Sequence, residues 1–309
     1  MNSISHAPVA LFVFNRPWHL RQCVEALKRN RLSPETKLIV YSDGAARESD
    51  KTKVADVRSY VKALRGFESL DVIERDRNYG VAESIIAGVS EVVDRFGEVI
   101  VLEDDLRISP HFLQFMNHGL AFYRGNDKVI SIHGYIYPIK GSLTETFFIR
   151  GADCWGWATW KRGWDLFEND GKKLLADLRQ KNLQHQFDLD GTYPYTQMLQ
   201  DQVEGKIDSW AIRWYASAFL NGKLTLYPGR SLVQNIGMDR SGRHSGKSDL
   251  LEVDLVQTPV VVKEIPVEEN RHVRQQVEEF MRTLGPGPLR KMGRFVRALP
   301  ARLASRPRR

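Results

Sequence analysis

Cysteine is nearly absent: Cys23 and Cys154 are the only two in 309 residues. So few thiols in a chain of this length exclude a disulfide-built scaffold and fit a reducing compartment. Long apolar runs are missing as well. Val9 to Phe14 and Val99 to Leu102 are strand-sized, far short of the ~20 residues that span a bilayer. No basic segment followed by an apolar stretch opens the chain, so no secretory leader is expected and a cytoplasmic protein is. No spacing fits a zinc site, a P-loop or a Ser-His-Asp nucleophile. Acid is absent from residues 284–309, which hold eight of the 45 basic residues; the remainder carries 37 basic against 38 acidic residues. The net charge of +7 therefore belongs to one terminal segment, and a nucleic-acid-binding body is not expected.

What the chain does contain is alternation. Pro8 to Phe14, Lys37 to Tyr41, Leu70 to Ile73 and Glu98 to Leu102 read as strands. Helical patterns fall between them at His19 to Lys28, through Val54, Val57, Val61 and Leu64, and at Val81 to Phe96. Strands alternating with helices imply parallel pairing with right-handed crossovers, and buried parallel strands explain continuous apolar runs. Ser109-Pro110 reads as an N-cap and first turn for a helix through Phe112, Phe115 and Met116. Beyond it come a strand at Val129 to His133, a tryptophan-rich stretch from Trp155 to Trp164, a helix near Trp210 to Leu220 and a Gly-rich polar loop from Asn235 to Gly246. His133, on a strand, reads as a core histidine. The organisation expected is an α/β donor half at 1–125, an acceptor and catalytic half at 126–265, and a C-terminal helix with a basic tail at 266–309.

The fourth strand ends on Glu103-Asp104-Asp105. In a doubly wound sheet, ligands bind beyond the carboxyl ends of the strands. Three adjacent anions repel one another unless a cation or hydrogen-bond donors compensate, and oxygen ligands suit Mg²⁺ or Mn²⁺ completed by substrate phosphates. Side-chain alternation puts Glu103 and Asp105 on one face and Asp104 on the other. A plain acidic loop opening the next helix is the competing reading.

The segment VIVLEDDLRISPHFLQFM resembles the strand, acidic DXD-like motif and helix of the N-acetylglucosaminyltransferase I family, a GT-A group of glycosyltransferases. ALFVFNRPWHLRQCVEAL, VYSDGAARES and ERDRNYGVAESIIAGV resemble that family's preceding segments in the same order, over about residues 8 to 125. The resemblance implies a GT-A type, Rossmann-like, mostly parallel nucleotide-sugar-binding sheet with a C-terminal acceptor-side lobe. It implies Arg16 near the donor phosphates, Asp43 accepting from the base, and Arg77 and Asn78 bordering the base. Asp104 would meet the ribose or sugar, Asp105 would bind Mn²⁺ or Mg²⁺, and Glu103 has the least defined role. Turn chemistry alone also accounts for Asp43-Gly44.

In the second half, Lys206-Ile207-Asp208-Ser209-Trp210 resembles the family segment that supplies the catalytic base, where the family has an acidic pair. Asp208 is the candidate, Asp201 the alternative, and helix capping by Asp208 or Ser209 the competing role. Gly151 to Trp157 resembles the family's Gly-Trp acceptor-side loop, implicating Asp153, Trp155 and Trp157. Trp157, Trp160 and Trp164 also fall at helical spacing, as a buried helix face would. Arg240, Arg243 and His244 fit a loop that closes over a diphosphate, or an exposed connection. Leu289, Met292, Val296, Leu299 and Leu303 alternate with arginines, so residues 289–309 fit a basic amphipathic segment on the inner face of an anionic membrane, or a solvated tail. The function expected is an inverting transfer of a sugar, a hexose or N-acetylhexosamine, from a UDP-sugar to a glycan or lipid-linked acceptor. Nucleotidyl transfer and a non-catalytic role on the same fold are the alternatives.

Overall fold

The computed structural model describes residues 6–239 and 249–284. The strands are β1 (Val9–Val13), β2 (Lys37–Ser42), β3 (Ser69–Glu74), β4 (Glu98–Glu103), β5 (Leu106–Ile108), β6 (Val129–His133), β7 (Thr146–Arg150), β8 (Trp157–Trp160), β9 (Leu224–Pro228) and β10 (Val233–Asn235). The helices are α1 (Pro17–Lys28), α2 (Lys51–Lys62), α3 (Gly80–Phe96), α4 (Phe112–Tyr123), α5 (Lys161–Trp164), α6 (Gly171–Gln180), α7 (Gln184–Phe187), α8 (Tyr195–Val203), α9 (Trp210–Leu220) and α10 (Arg271–Leu284).

Among the described residues, eight strands form one sheet in the order β3-β2-β1-β4-β8-β6-β9-β7. The first four are parallel, and β8 and β7 run against their neighbours. The chain is thus mixed α/β with a mostly parallel central sheet. Period-two alternation divides the core. Val9, Leu11 and Val13 pack toward α1, α2 and α4, whereas Ala10 and Phe12 pack toward α3 and α9. Leu20, Val24 and Leu27 form the buried stripe expected of α1. A separate cluster sets Val273, Val277 and Met281 of α10 against Phe147, Ile149 and Tyr227 at the β7–β9 edge.

Two local expectations are corrected. Ser109 does not cap α4, which starts at Phe112 after His111. Its hydroxyl instead donates to the Val256 carbonyl at 2.6 Å and accepts from the His111 N–H at 3.2 Å. The tryptophan stretch is not one helix either; only Lys161–Trp164, the short α5, is helical. Residues 157–160 form β8, because pairing with β4 on one side and β6 on the other requires extended backbone. Trp157 and Trp160 therefore face opposite sides. Trp157 lies against Trp164, Trp210 and Trp214 with ring centroids 5.5–5.8 Å apart, while Trp160 donates its indole N–H to the Leu120 carbonyl at 3.3 Å. Truncating Trp157 to Ala would cost about 3–5 kcal/mol in lost packing.

Candidate functional site

The connections β1–α1–β2–α2–β3 build the sheet outward on one side of β1, and α3 then carries the chain back to the other side, where β4 pairs with β1. The order of the strands reverses between the parallel strands β1 and β4, and a crevice at the carboxyl ends of such strands is where α/β sheets bind ligands. Two contacts bridge it. The Phe14 N–H donates to Asp104 Oδ2 at 3.2 Å, and Arg16 Nη1 meets Asp105 Oδ2 at 2.6 Å, with both side chains of the latter pair 18% exposed. Burial opposes the Arg16 charge, but Asp105, Asp104 and Asp239 outweigh it and hold the guanidinium firmly protonated.

The strand ends at Glu103, and residues 104–105 form a turn, so simple alternation does not extend through the triplet. All three carboxylates line a cavity of about 650 Å³. Burial raises the Glu103 carboxyl to about 8, with Asp105 and Asp104 adding to the shift and Arg16 opposing it. Asp104 is raised to about 7 by burial and then Asp105, against Arg16 and the Phe14 N–H. Fully ionised, the triplet would carry more negative charge than its one guanidinium balances. Among the described residues no three His, Cys, Asp or Glu side chains form a metal cage. The donor set fits a hard divalent cation held by one or two carboxylates and completed by phosphate oxygens and water.

On the crevice wall, Asp43 receives the Gly44 and Tyr79 N–H groups on Oδ1 at 2.9 and 2.8 Å. Its Oδ2 receives Asn78 Nδ2 and the Gly80 N–H at 2.8 and 3.0 Å. These four donors fill the roughly four lone-pair positions of a carboxylate. Asp43 therefore ties the turn to the start of α3 and places a negative charge at that helix's N-terminus, where a base-reading acceptor was expected. Asn78 Nδ2 also reaches the Gly44 carbonyl at 2.8 Å. Gly44 is required here, since a Cβ would stand 2.5 Å from the Arg77 carbonyl carbon. Asn78 and Asp43 line the cavity and Arg77 does not. The Arg77 side chain is 62% exposed, reaches Glu83 at 3.3 Å and lies 4.5 Å over the Tyr79 ring.

Asp208, just before α9, also lines the cavity. Capping falls to Ser209, whose Oγ accepts from the Ile212 N–H at 3.3 Å, so the Asp208 carboxylate is not the cap. It lies 3.9 Å from Arg213 Nη2 and faces the start of α3, with Oδ2 3.8 Å from where a Cβ on Gly80 would stand. Burial raises its carboxyl above the ordinary range, with Glu83 adding and Arg213 opposing. Asp201 does not line the cavity. It is buried and holds Gln197 Nε2 at 3.0 Å and Lys206 Nζ at 3.4 Å.

Asp153 and Trp155 line the cavity, but Trp157 does not and belongs to the core beneath it. The tryptophan stretch suggests an aromatic wall, of which Trp155 is a part, but not the tyrosines that make up most of it. Tyr135, Tyr137, Tyr193, Tyr195, Tyr215 and Tyr227 all reach the cavity, together with Val277 and Met281 of α10. These residues come from five separate segments, so no short motif announces them. His133 is a buried core residue, as its strand position suggested; burial depresses its pKa, and its Nε2 faces the Trp155 N–H at 3.1 Å.

A second pairing roofs the acidic end. β10 pairs antiparallel with β5, and the ladder continues as the Ile236 N–H donates to the Asp105 carbonyl at 2.8 Å. Gly237 follows directly above the Arg16–Asp105 pair, where a Cβ would come within 2.1 Å of Asp105 Oδ2 and 2.8 Å of Arg16 Nη1. His19 Nε2 lies 3.1 Å from Asp239 Oδ2. Arg240, Arg243, His244 and the segment 289–309 lie outside the described residues. No helix among the described residues is long and apolar enough to cross a membrane.

No protein-family model matches the chain, and no curated protein matches it. Among solved structures it is similar to the mannosyltransferase PcManGT from Pyrobaculum calidifontis in complex with GDP-Man and Mn²⁺, at 12% identity and a TM-score of 0.32, covering 44% of this chain and 37% of that one. It is also similar to S. aureus TarS 1-349 in complex with UDP, at 13% identity and a TM-score of 0.36, covering 73% and 59%. For the longer S. aureus TarS structure the values are 12%, 0.38, 73% and 36%. The chain thus spans less than two thirds of the length of each of these proteins, which are glycosyltransferase structures with a nucleotide sugar or nucleotide bound in two of the three. At such low similarity, the functional reading rests on the site itself.

Proposed function

We propose that the chain is a glycosyltransferase that moves a sugar from a nucleoside-diphosphate sugar to an acceptor hydroxyl. One observation carries this reading: the Arg16–Asp105 pair at the sheet's reversal point shares a single cavity with the carboxylate of Asp208. The acidic triplet suits the charge of a diphosphate only with a cation between them. Asp105, with Glu103 beside it, is the group that would hold Mn²⁺ or Mg²⁺, which when bound supplies positive charge to the leaving diphosphate. Arg16 is placed to exchange its contact with Asp105 for a phosphate oxygen, a geometry that suits guanidinium. Asp208 then removes the acceptor proton as its oxygen attacks the anomeric carbon, and its raised pKa makes it a stronger base than an exposed Asp. Ile236 and Gly237 cover Arg16 and Asp105 and help keep water from the reacting centre.

The narrower features rest on the sequence resemblance. These are the N-acetylglucosaminyltransferase I relationship, UDP as the nucleotide, inversion, a hexosyl or N-acetylhexosaminyl donor and a glycan or lipid-linked acceptor in polysaccharide or glycoconjugate synthesis. A cytoplasmic location, with residues 289–309 on an anionic membrane surface, rests instead on the scarcity of cysteine and the basic amphipathic spacing of that segment. A screen of nucleotide sugars with Mn²⁺, reading thermal stabilisation and nucleoside diphosphate release, tests the proposal. Release that is abolished by Asp208→Asn while stabilisation by the donor persists is the expected result. Stabilisation without release in the wild type would refute catalysis, and pyrophosphate release from a nucleoside triphosphate would point to nucleotidyl transfer.

A further inference from the structure

Beside Arg16 and the acidic triplet, the same cavity has a second, aromatic lining. There Asp153 accepts the Cys154 N–H on Oδ1 at 2.8 Å and the Tyr137 hydroxyl on Oδ2 at 3.4 Å. Neither arginine that lines the cavity pairs with it. Arg16 is on Asp105, and Arg150 donates through Nε and Nη2 to the Phe219 carbonyl at 3.2 and 3.0 Å. His133 behind it is held neutral by burial. The surroundings of Asp153 are aromatic instead. Tyr135 stands 5.4 Å from Tyr137 and 4.8 Å from Trp155, while Tyr193 stands 4.3 Å from Tyr195, measured between ring centroids. Ile149, Leu189, Val277 and Met281 complete an apolar boundary.

A carboxylate among aromatic faces, with no cation beside it among the described residues, is costly to desolvate unless its ligand compensates. The same surroundings repel an anionic group and attract a cation twice, through the carboxylate and through the negative ring faces. A neutral sugar would satisfy the rings and donate hydroxyls to the carboxylate, but only a cationic group also balances its charge.

We propose that this part of the cavity is an acceptor subsite for an amino sugar, with the protonated amine on Asp153 and the ring against the tyrosine wall. The inference rests on the glycosyltransferase reading only for the word acceptor; binding of the amine is a property of the pocket alone. It also implies that the hydroxyl offered to Asp208 and the ammonium group belong to one molecule.

Ligand-observed NMR titrations of glucosamine, glucose and N-acetylglucosamine against the full chain, without nucleotide and at a pH where the amine is protonated, test it. Glucosamine should bind about tenfold more tightly than the other two, the ratio expected of one charge-assisted hydrogen bond. Asp153→Asn should remove that preference, and Tyr137→Phe, which keeps the carboxylate, should preserve it. Equal binding of the three sugars by the wild type would overturn the proposal whether or not the variants fold. A preference that survives Asp153→Asn would overturn the role of Asp153. UDP binding with Mn²⁺, read in parallel by thermal shift, separates the two readings. Its loss would count against the donor site, and its retention beside a flat sugar profile would count against the amine subsite alone.

Discussion

Replacing Arg16 with Met isolates the electrostatics of the acidic strand end, because Met keeps much of the side-chain length and removes only the guanidinium. Arg16 is in a 2.6 Å pair with Asp105, with both partners 18% exposed, and it also opposes the upward shifts of Glu103 and Asp104. Breaking a pair buried to this degree leaves an uncompensated charge and costs about 3 kcal/mol, a fall in Tm of roughly 6 °C for a chain of this size. The cost must depend on pH. Glu103 and Asp104 are raised to about 8 and about 7 in the folded protein, well above their values in an unfolded chain. Between about pH 5 and 8 the native state therefore binds more protons than the unfolded state, and stability falls as pH rises. Near pH 6 both groups are largely protonated and Arg16 faces mainly Asp105; near pH 9 it faces three carboxylates. Calorimetry of Arg16→Met should accordingly show a deficit that grows from pH 6 to pH 9, and added Mn²⁺ should recover part of it at the higher pH. An equal deficit at both pH values, or none, would refute the account of a negatively charged strand end balanced by one guanidinium.

Gly237→Ala places a methyl group within 2.1 Å of Asp105 Oδ2; lifting the loop costs about 1–3 kcal/mol, and titration calorimetry should show UDP affinity with Mn²⁺ lowered by roughly tenfold or more. Asp43→Asn leaves one acceptor oxygen where two now receive four donors, so chemical denaturation should show a loss of about 2–4 kcal/mol, with faster amide exchange at the start of α3. If Asp208 is the base, transfer should fall as pH drops through a value above that of an ordinary Asp, because burial raises its carboxyl; a pH profile with its acid limb in the usual carboxylate range would speak against it. Asp201→Asn should leave turnover within a few-fold of wild type, since Asp201 lies off the cavity.

The parallel part of the sheet was readable because β1, β2 and β4 are buried on both faces. PVALFVF, KLIVY and EVIVL are short, continuous and bounded by turn residues, a pattern that only parallel strands between two helix layers require. The acidic triplet was visible from strand order, whereas Arg16 and Asp208, which line the same cavity, were singled out by family resemblance alone. The errors came where one spacing serves two conformations or where contact is long-range. Trp157 and Trp160 are three residues apart, which reads as a helix face, but they occupy opposite sides of a strand imposed by β4 and β6. Asp43 was visible as a residue, whereas its task depends on donors 35 to 37 positions later. The tyrosine wall spans residues 135 to 227 and is completed by α10, so it exists only once the chain has folded.

The place of β8 in the sheet bears on how such a site can work. It runs antiparallel to β4, with Trp157 beside Val101, so Asp153 and Trp155 arrive at the same end of the sheet at which Glu103 to Asp105 depart. The two linings of the cavity hang from adjacent strands, held about 4.8 Å apart by backbone hydrogen bonds. The spacing of those two strands is set by the pitch of the sheet, among the least compliant distances in a protein. Accommodation of ligands is then left to the covering segments, Ile236 to Asp239 above one lining and α10 along the other. On the function proposed above, a new acceptor preference would arise by altering those covers and the side chains beneath them, while the two strands keep their places.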